Sequence, residues 1–455
     1  MAYAQLNALP QALEAWLKAL TYDPKVPELH NNLGNVYKAL GQLTPALRHY
    51  QQALRLKSPY PNCHNNLGAL YYQLGQIKTA IEHLEKALRM APDAVEAHFN
   101  LANCHLSNNA LQQACTHLYQ VVQRAPQHLS ALHNLGVSLT LLKDFERARP
   151  YLERANQLQP NNIEVLFHLA LIDSAQGEIE IAIQKYQQLL SLAPNHAKAH
   201  HNLATLYLNT QQHRKAISHY QQTLSLNPAN NTARHMLDAL YGKTNPHGAP
   251  LDYVRALFNQ YAYTYESHVK QLDYQIPAQL RALISNYCKI NQAPWQALDL
   301  GCGTGLIAPF FTDLVGKLYG IDIAPNMLEI ARQKNAYYKL QLIDIAQYLS
   351  ETTINFDLII AADTLNYFGE LTDIFHACYQ RLVTPGYFVF SIETLPLTQK
   401  NNFQLNPTGR YAHKITYIER LANELGFELA TMQSAPIRTQ EQQPVIGHLF
   451  LLSKK

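Results

Sequence analysis

The chain has 455 residues, 47% of them apolar and 15% charged. That is enough for two or three domains, and the composition is that of a packed globular chain and not a disordered one. A formal net charge of +3 argues against nucleic acid or an anionic membrane as partner. No run of 18 apolar residues is present, which argues against a transmembrane span. The N-terminus lacks the basic patch and apolar core of a signal peptide. The six cysteines form no Cys-x-x-Cys pair, which fits reduced thiols and a cytoplasmic setting.

Residues 1–230 repeat with a period of 34. Leu33-Gly34 recurs as Leu67-Gly68, Leu101-Ala102, Leu135-Gly136, Leu169-Ala170 and Leu203-Ala204. An alanine follows each Gly/Ala by twelve residues, from Ala46 to Ala216, and prolines such as Pro92, Pro126 and Pro160 close the units. Small residues at these places allow two helices to approach closely, and a proline stops the second helix. Tyr37, Tyr71 and Tyr207 on first helices, with Tyr50, Tyr186 and Tyr220 on second helices, are expected to fill the space between units. The pattern resembles the tetratricopeptide repeat, which implies a pair of antiparallel helices per unit stacked into an all-α solenoid. Six complete units are expected over 27–230. A partial unit over 1–26 supplies Ala12, Trp16, Ala19 and Pro24 to a second helix, with Tyr3 at the end of a first one. The array thus begins in mid-helix: either that helix is short or the natural chain extends upstream. Residues 231–241 read as a capping helix.

A polar ladder runs along the first helices: Asn32, Asn66, Asn100, Asn134, then His168, then Asn202. It is similar to the asparagine ladder of the repeat domains of O-GlcNAc transferases. The resemblance implies that these amides clamp the backbone of an extended peptide on the concave face, since an amide both donates and accepts. The other reading is a solvated polar position. His196 and His200 share a helix face, but no third ligand accompanies them and no metal is expected.

Gly242–Pro250 holds two Gly and two Pro and reads as a linker. Residues 251–455 form the second domain. Tyr253–Ala262 reads as helical, with Phe258, Tyr261 and Tyr265 on one face. Ala297-Leu298 then end a buried strand, and Asp299-Leu300-Gly301-Cys302-Gly303-Thr304-Gly305 follows, with Leu306-Ile307-Ala308 opening a helix. Such a joint lets a ligand press on bare backbone. Leu306 stands where the dinucleotide fingerprint needs its third glycine, so that fingerprint fails. A second strand ends at Asp322, where a carboxylate can accept from both hydroxyls of a ribose.

The Asp-x-Gly-x-Gly-x-Gly pattern resembles motif I of the class I S-adenosylmethionine-dependent methyltransferases. Ile323-Ala-Pro-Asn-Met327-Leu-Glu-Ile-Ala331, Leu340–Ile345 and Phe356–Asp363 extend the likeness in order. It implies an α/β Rossmann-like domain with a seven-stranded mixed sheet. It also implies S-adenosylmethionine held by Asp299, Gly301, Gly303, Gly305, Asp322, Met327, Asp344 and Ile345, with Met327 and Ile345 on the two adenine faces. The helix bearing Tyr261 closes over the cofactor in relatives with a similar segment, and an aromatic face suits a sulfonium.

The acceptor side is expected from loops at the carboxyl ends of the strands. Asp363 and Tyr367 follow the fourth strand and Glu393 the fifth. An irregular insertion over 395–407 precedes Gly409-Arg410-Tyr411-Ala412-His413. Arg410 is suited to grip a carboxylate, with Tyr411 beside it, and His413 is the candidate base, since imidazole titrates near neutral pH. With Tyr417-Ile418, Gly426-Phe427 and the 253–265 segment, this grouping is similar to predicted methyltransferases that carry tetratricopeptide repeats. Residues 427–432 and 445–452 are expected to close the sheet as an antiparallel hairpin. The reading is a methyltransferase whose repeats recruit a protein partner or substrate. The alternatives are a small-molecule methyltransferase with repeats used for assembly, or a non-catalytic scaffold.

Overall fold

The computed structural model describes residues 9–242, 245–272, 274–287, 294–440 and 443–455. Tyr3 with the rest of the expected first helix, Cys288, and Lys243-Thr244 of the expected linker lie outside them. The chain forms two compact units, Met1–Ala199 and His200–Lys455. Among the described residues no helix is long and apolar enough to cross a membrane.

The first unit is a stack of helix pairs: Pro27–Ala39 with Leu43–Leu56, Pro61–Gln73 with Ile77–Met90, Val95–Ser107 with Leu111–Arg124, Leu129–Leu141 with Phe145–Leu158, and Ile163–Ala175 with Ile179–Leu192. Helix Leu9–Tyr22 precedes them. The Gly/Ala rule has a direct cause. A Cβ on Gly34 would stand 2.5 Å from the Tyr50 ring, one on Gly68 2.4 Å from Leu84, and one on Gly136 2.5 Å from Leu152. The large partner is sixteen residues on each time, on the second helix of the same unit, and Tyr50, Leu84 and Leu152 are fully buried.

A second regularity was not legible in advance. His30 and His49 meet Nδ1 to Nδ1 at 3.0 Å, His64 and His83 at 2.9 Å, and His98 and His117 at 3.0 Å. One ring of each pair must donate and the other accept, so a doubly protonated pair loses its bond and repels. In the fifth pair of helices the corresponding space holds ions: the buried Asp173 carboxylate accepts from Lys185 at 2.5 Å and forms an ion pair with Arg149, Nη1 to Oδ1 at 2.8 Å.

The second unit opens with the sixth helix pair, His213–Leu226 packing with the helix that ends at Asn209, and the helix Asn231–Tyr241. Its sheet has nine strands: β1 Trp295–Leu300, β2 Val315–Asp322, β3 Lys339–Leu342, β4 Phe356–Ala361, β5 Leu382–Thr394, β6 Phe403–Leu405, β7 Tyr411–His413, β8 Phe427–Gln440 and β9 Gln443–Lys454. β3-β2-β1-β4-β5 run parallel; β9 lies antiparallel to β5, and β8 to β9. Chain order reverses between β1 and β4, which opens a crevice at their carboxyl ends. One face buries Leu298, Leu300, Ile359, Phe388, Phe390 and Phe450. The other buries Ala297, Leu318, Leu358, Ile360, Val389 and Leu451.

Two expectations are corrected. The glycine loop does not open an α-helix: a short 3-10 turn, Ala308–Phe310, follows it. Pro309 lacks the N–H that an α-helix opening at Leu306 would direct to the Gly305 carbonyl, and β2 already starts at Val315. The insertion over 395–407 is irregular except at Phe403–Leu405, which forms β6 and pairs as a hairpin with β7 beyond it. β7 pairs with β5 beyond the end of β4, at Glu393↔Ala412 and Thr394↔His413, which is why the sheet has two strands more than the seven expected.

Burial first, then the neighbouring imidazole, pushes His83 and His117 down to about 4. Lys86 also lowers His83, and Glu82 works the other way. A depressed base favours the folded state only above its unfolded pKa. The contribution is therefore lost as pH falls from about 6.5 towards 4. Changing His64→Leu with His83→Tyr installs the residues found at Leu132 and Tyr151 in the fourth unit. It should make the Tm of the full chain less sensitive to acid across that window, by thermal unfolding at a series of pH values.

Candidate active site

At the carboxyl ends of β1, β4 and β5 the second unit encloses a cavity of about 890 Å3, near the upper end of the roughly 300–1,000 Å3 usual for ligand sites. The glycine loop forms part of its wall. Gly301, Gly303 and Gly305 all have positive φ, +67°, +54° and +80°, which explains three glycines in five residues. Their surroundings differ. A Cβ on Gly301 would strike Thr364 at 2.8 Å, and one on Gly305 the Tyr337 ring at 2.9 Å, whereas one on Gly303 meets nothing within 4 Å. Gly303 and Gly301 line the cavity; Gly305 does not.

Asp322, at the end of β2, lines the cavity with both oxygens fixed: Oδ2 accepts from the Gly303 N–H at 2.9 Å and Oδ1 from the Ala324 N–H at 2.8 Å. Burial raises its pKa, and the backbone N–H groups of Ala324, Gly303 and Ile323 oppose that rise. Met327, Asp344 and Ile345 line the same region. Asp344 caps the short helix Ile345–Glu351 by accepting from Gln347 N–H at 3.1 Å. From helix Leu251–Gln271, Phe258, Tyr261 and Tyr265 reach the cavity. That helix is tied down where Asn326 N–H donates to Asn259 Oδ1 and Asn326 Nδ2 to the Asn259 carbonyl, both at 3.1 Å.

Asp299 lies behind the loop. It does not line the cavity, is buried, and accepts from the Tyr337 hydroxyl at 2.7 Å. Tyr337 also fills the space that Gly305 and Gly320 leave by lacking side chains. Asp299 and Gly305 thus shape the loop from beneath. Tyr337 had no motif to mark it: its partners come from three other segments of the fold. Cys302 is buried too, and burial holds its thiol well above the usual range, in keeping with a small packed residue.

Across the cavity, Arg410 stands between two carboxylates. Its Nε donates to Glu393 Oε1 at 2.6 Å, Nη2 to Asp363 Oδ1 at 2.5 Å and Nη1 to the Tyr367 hydroxyl at 3.2 Å. Burial works against its charge, but Asp363, Tyr367 and Glu393 hold its pKa well above the ordinary value. Asn366, buried, donates to Asp363 at 2.7 Å and accepts from the Glu393 N–H at 2.9 Å. Asp363 itself has φ +56°, an uncommon geometry for a residue with a side chain, held here by Ser391 Oγ accepting its N–H at 2.8 Å.

The structure brings Asp363, Tyr367 and Arg410 together but keeps Tyr411 and His413 out of the cavity lining. Tyr411 is fully buried in a small core with Ala239 and Leu405. His413 is fully buried, with Nε2 at 3.0 Å from the Gly369 carbonyl. Burial pushes its imidazole down to about 4, against the opposing pull of the Gly369 and Phe368 carbonyls and Glu393. Tyr411 and His413 are two apart on a strand and share a face, and that face is turned inward. A base role for His413 and an acceptor contact for Tyr411 are therefore not carried forward.

Burial first raises the Asp299 carboxyl to about 7 from 3.8; Tyr337 opposes the shift and Asp322 adds to it. A raised acid favours the folded state below its unfolded pKa. That advantage is lost as pH rises through the folded pKa. Asp299→Asn keeps an acceptor for Tyr337. It should stabilise the ligand-free chain relative to wild type by an amount that grows to a few kcal/mol between about pH 4 and pH 8, in denaturant unfolding at each pH.

Residues 298–390 match the family model described as a methyltransferase domain. Tetratricopeptide-repeat models match 2–41, 34–75, 65–128, 129–162, 164–196 and 197–230. The ubiquinone biosynthesis O-methyltransferase of Xanthomonas oryzae pv. oryzae is 28% identical over 102 residues, 22% of this chain and 42% of that protein. The malonyl-[acyl-carrier protein] O-methyltransferase of Acetivibrio thermocellus is 32% identical over 98 residues, 21% of this chain and 34% of that one. The chain spans less than half the length of these two curated relatives. Among solved structures, Pseudomonas aeruginosa pilF is similar with a TM-score of 0.40 at 22% identity, over 42% of this chain and 88% of that one. YrrB, described as a TPR protein with an unusual peptide-binding site, has a TM-score of 0.33 at 20% identity, over 49% of this chain and 98% of that one. With repeat models matching between residues 2 and 230 and the methyltransferase model spanning the glycine loop, Asp322 and Asp363, the chain belongs to the proteins that fuse tetratricopeptide repeats to a methyltransferase domain.

Proposed function

We propose that the chain is an S-adenosylmethionine-dependent methyltransferase whose repeats bring it to a protein partner or substrate. The observation that carries the cofactor is Asp322. Each of its oxygens accepts one backbone N–H, and a carboxylate oxygen has room for a second donor. Two ribose hydroxyls are the donors that fit, beside a Gly303 whose face is open. Met327 and Ile345 would flank the adenine, Asp344 would accept from its amine, and Tyr261 and Tyr265 would face the sulfonium.

S-adenosylmethionine, when bound, supplies a methyl group on a sulfur that leaves as a neutral thioether. The chain's task is alignment and exclusion of water, which the aromatic helix over 251–271 and the glycine loop serve. Asp363 and Tyr367, both held by Arg410, orient the acceptor.

The repeats support recruitment through the asparagine ladder. Asn66 donates to Asn31, Asn100 to Asn65 and Asn134 to Asn103, at 2.9, 2.9 and 3.2 Å. These bonds hold each amide in register across neighbouring units while it stays only partly buried. Asn32 and Asn202 stand at the same place in their units, and His168, which is buried, interrupts the row.

Replacing Asp322 by Ala should weaken S-adenosylmethionine binding to the full chain by roughly a hundredfold or more, the worth of two charge-assisted hydrogen bonds. Calorimetry checks this, and unchanged affinity would sink the assignment. Incubation with methyl-labelled donor and a fractionated lysate should label protein. Changing Asn66, Asn100 and Asn134 together to Ala should reduce that label and leave donor affinity intact. Label confined to small molecules would favour the assembly role for the repeats.

A further inference from the structure

The cavity has a second half, away from Asp322, and the last repeat helps to build it. Leu208, Asn209, Gln211 and His213, around the turn of the sixth helix pair, line the same cavity as the glycine loop. They belong to one compact unit with the sheet. The next helix, Asn231–Tyr241, is fastened to the hairpin tip and to helix Leu251–Gln271. His235, on helix Asn231–Tyr241, meets the Gly409 carbonyl at 2.9 Å, and Asn231 donates to Asp252 at 3.1 Å. A Cβ on Gly409 would stand 2.5 Å from the Tyr253 hydroxyl. The hairpin tip that carries Arg410 is thereby held against both helices.

The charge of this half is set by Arg410. Among the described residues it is the one Arg or Lys in the cavity lining, and it already donates to Asp363 and Glu393. Two carboxylates against one guanidinium leave the cluster net negative. The remaining acids of the lining, Asp322 and Asp344, add to that sign. An incoming carboxylate would meet like charge and a guanidinium already paired with two carboxylates, so its desolvation there is offset less than that of a hydroxyl or amine. The walls beside the cluster are apolar: Leu208, Leu251, Val254 and Phe368, with Leu251 46% exposed at the mouth.

We infer that this half is the methyl-acceptor site, walled in part by the sixth repeat, and that it takes an apolar body bearing a hydroxyl or amine and excludes carboxylic acids. The inference rests on the methyltransferase reading and narrows its substrate class. Sequence reading had given Arg410 the opposite task, gripping a carboxylate. The geometry assigns it to holding Asp363 and Glu393 in place.

The test uses the full chain saturated with S-adenosylhomocysteine and three probes with one tail, octylamine, octan-1-ol and octanoate, titrated by calorimetry. Octylamine and octanol should bind, and octanoate should bind at least about tenfold more weakly, as expected for an acceptor meeting like charge. Glu393→Gln, which removes one negative charge beside Arg410, should narrow that gap. Leu208→Ser should weaken octylamine and octanol and leave S-adenosylhomocysteine affinity unchanged. Octanoate binding as tightly as octylamine would overturn the charge assignment. No binding of any probe, or no effect of Leu208→Ser, would overturn the acceptor wall. Failure of S-adenosylhomocysteine itself to bind would instead overturn the methyltransferase reading on which the site depends.

Discussion

The Gly303 N–H points at the Asp322 carboxylate, and the order of the cavity follows from that bond. It ties the loop after β1 to the end of β2, two strands already paired in parallel with Asp299 opposite Gly320. It also uses up one lone pair on the acid, while Ala324 uses another. What remains is a carboxylate that cannot swing and a loop that cannot lift. Tyr337 completes the support from below by bonding Asp299 and packing where Gly305 and Gly320 have no side chain. The loop therefore carries two jobs that look alike in sequence. Gly303 leaves open space in the cavity wall, and Gly305 gives room to the protein's own tyrosine.

That distinction shows where sequence reading stops. The positive-φ turn, the acid closing β2 and the strands are legible because each is local: glycines at alternate positions, Asp322 at the end of an apolar run, and the runs themselves. The period of the repeats is legible for the same reason, and the 2.4–2.5 Å at which a Cβ on Gly34, Gly68 or Gly136 would meet its neighbour supplies the physical cause. The surroundings of Arg410 and His413 are not legible in this way, because their contacts are with residues distant in the chain. Arg410 finds Asp363 and Glu393 only when β7 is laid beside β5. His413 has the chemistry of a base, but a strand fixes which way alternate residues face, and that information lies in the hairpin and not in the histidine. The histidine pairs of the repeats escaped notice for a further reason. Each partner lies on a different helix of its unit, so no single helix shows them.

The segment before the methyltransferase fold was read as a linker from its Gly and Pro. In the structure its described backbone is paired: Ala249 N–H donates to the Tyr367 carbonyl at 2.9 Å, and the Gly369 and Glu370 N–H groups donate to the His247 carbonyl at 2.8 and 2.9 Å. Proline lacks a donor, but its neighbours' carbonyls and N–H groups still bond. Composition alone cannot separate a loose joint from a fastened one.

The compact unit that begins at His200 takes in the sixth helix pair along with the sheet. Stacked repeats interact chiefly with their nearest neighbours. Units upstream of that pair can therefore be duplicated or lost in steps of 34 residues without rewriting the residues around the cavity. Substitutions in the sixth unit do not share this freedom. Repeat number and the lining of the cavity are thus free to change on separate schedules, with the sixth repeat bound to the cavity.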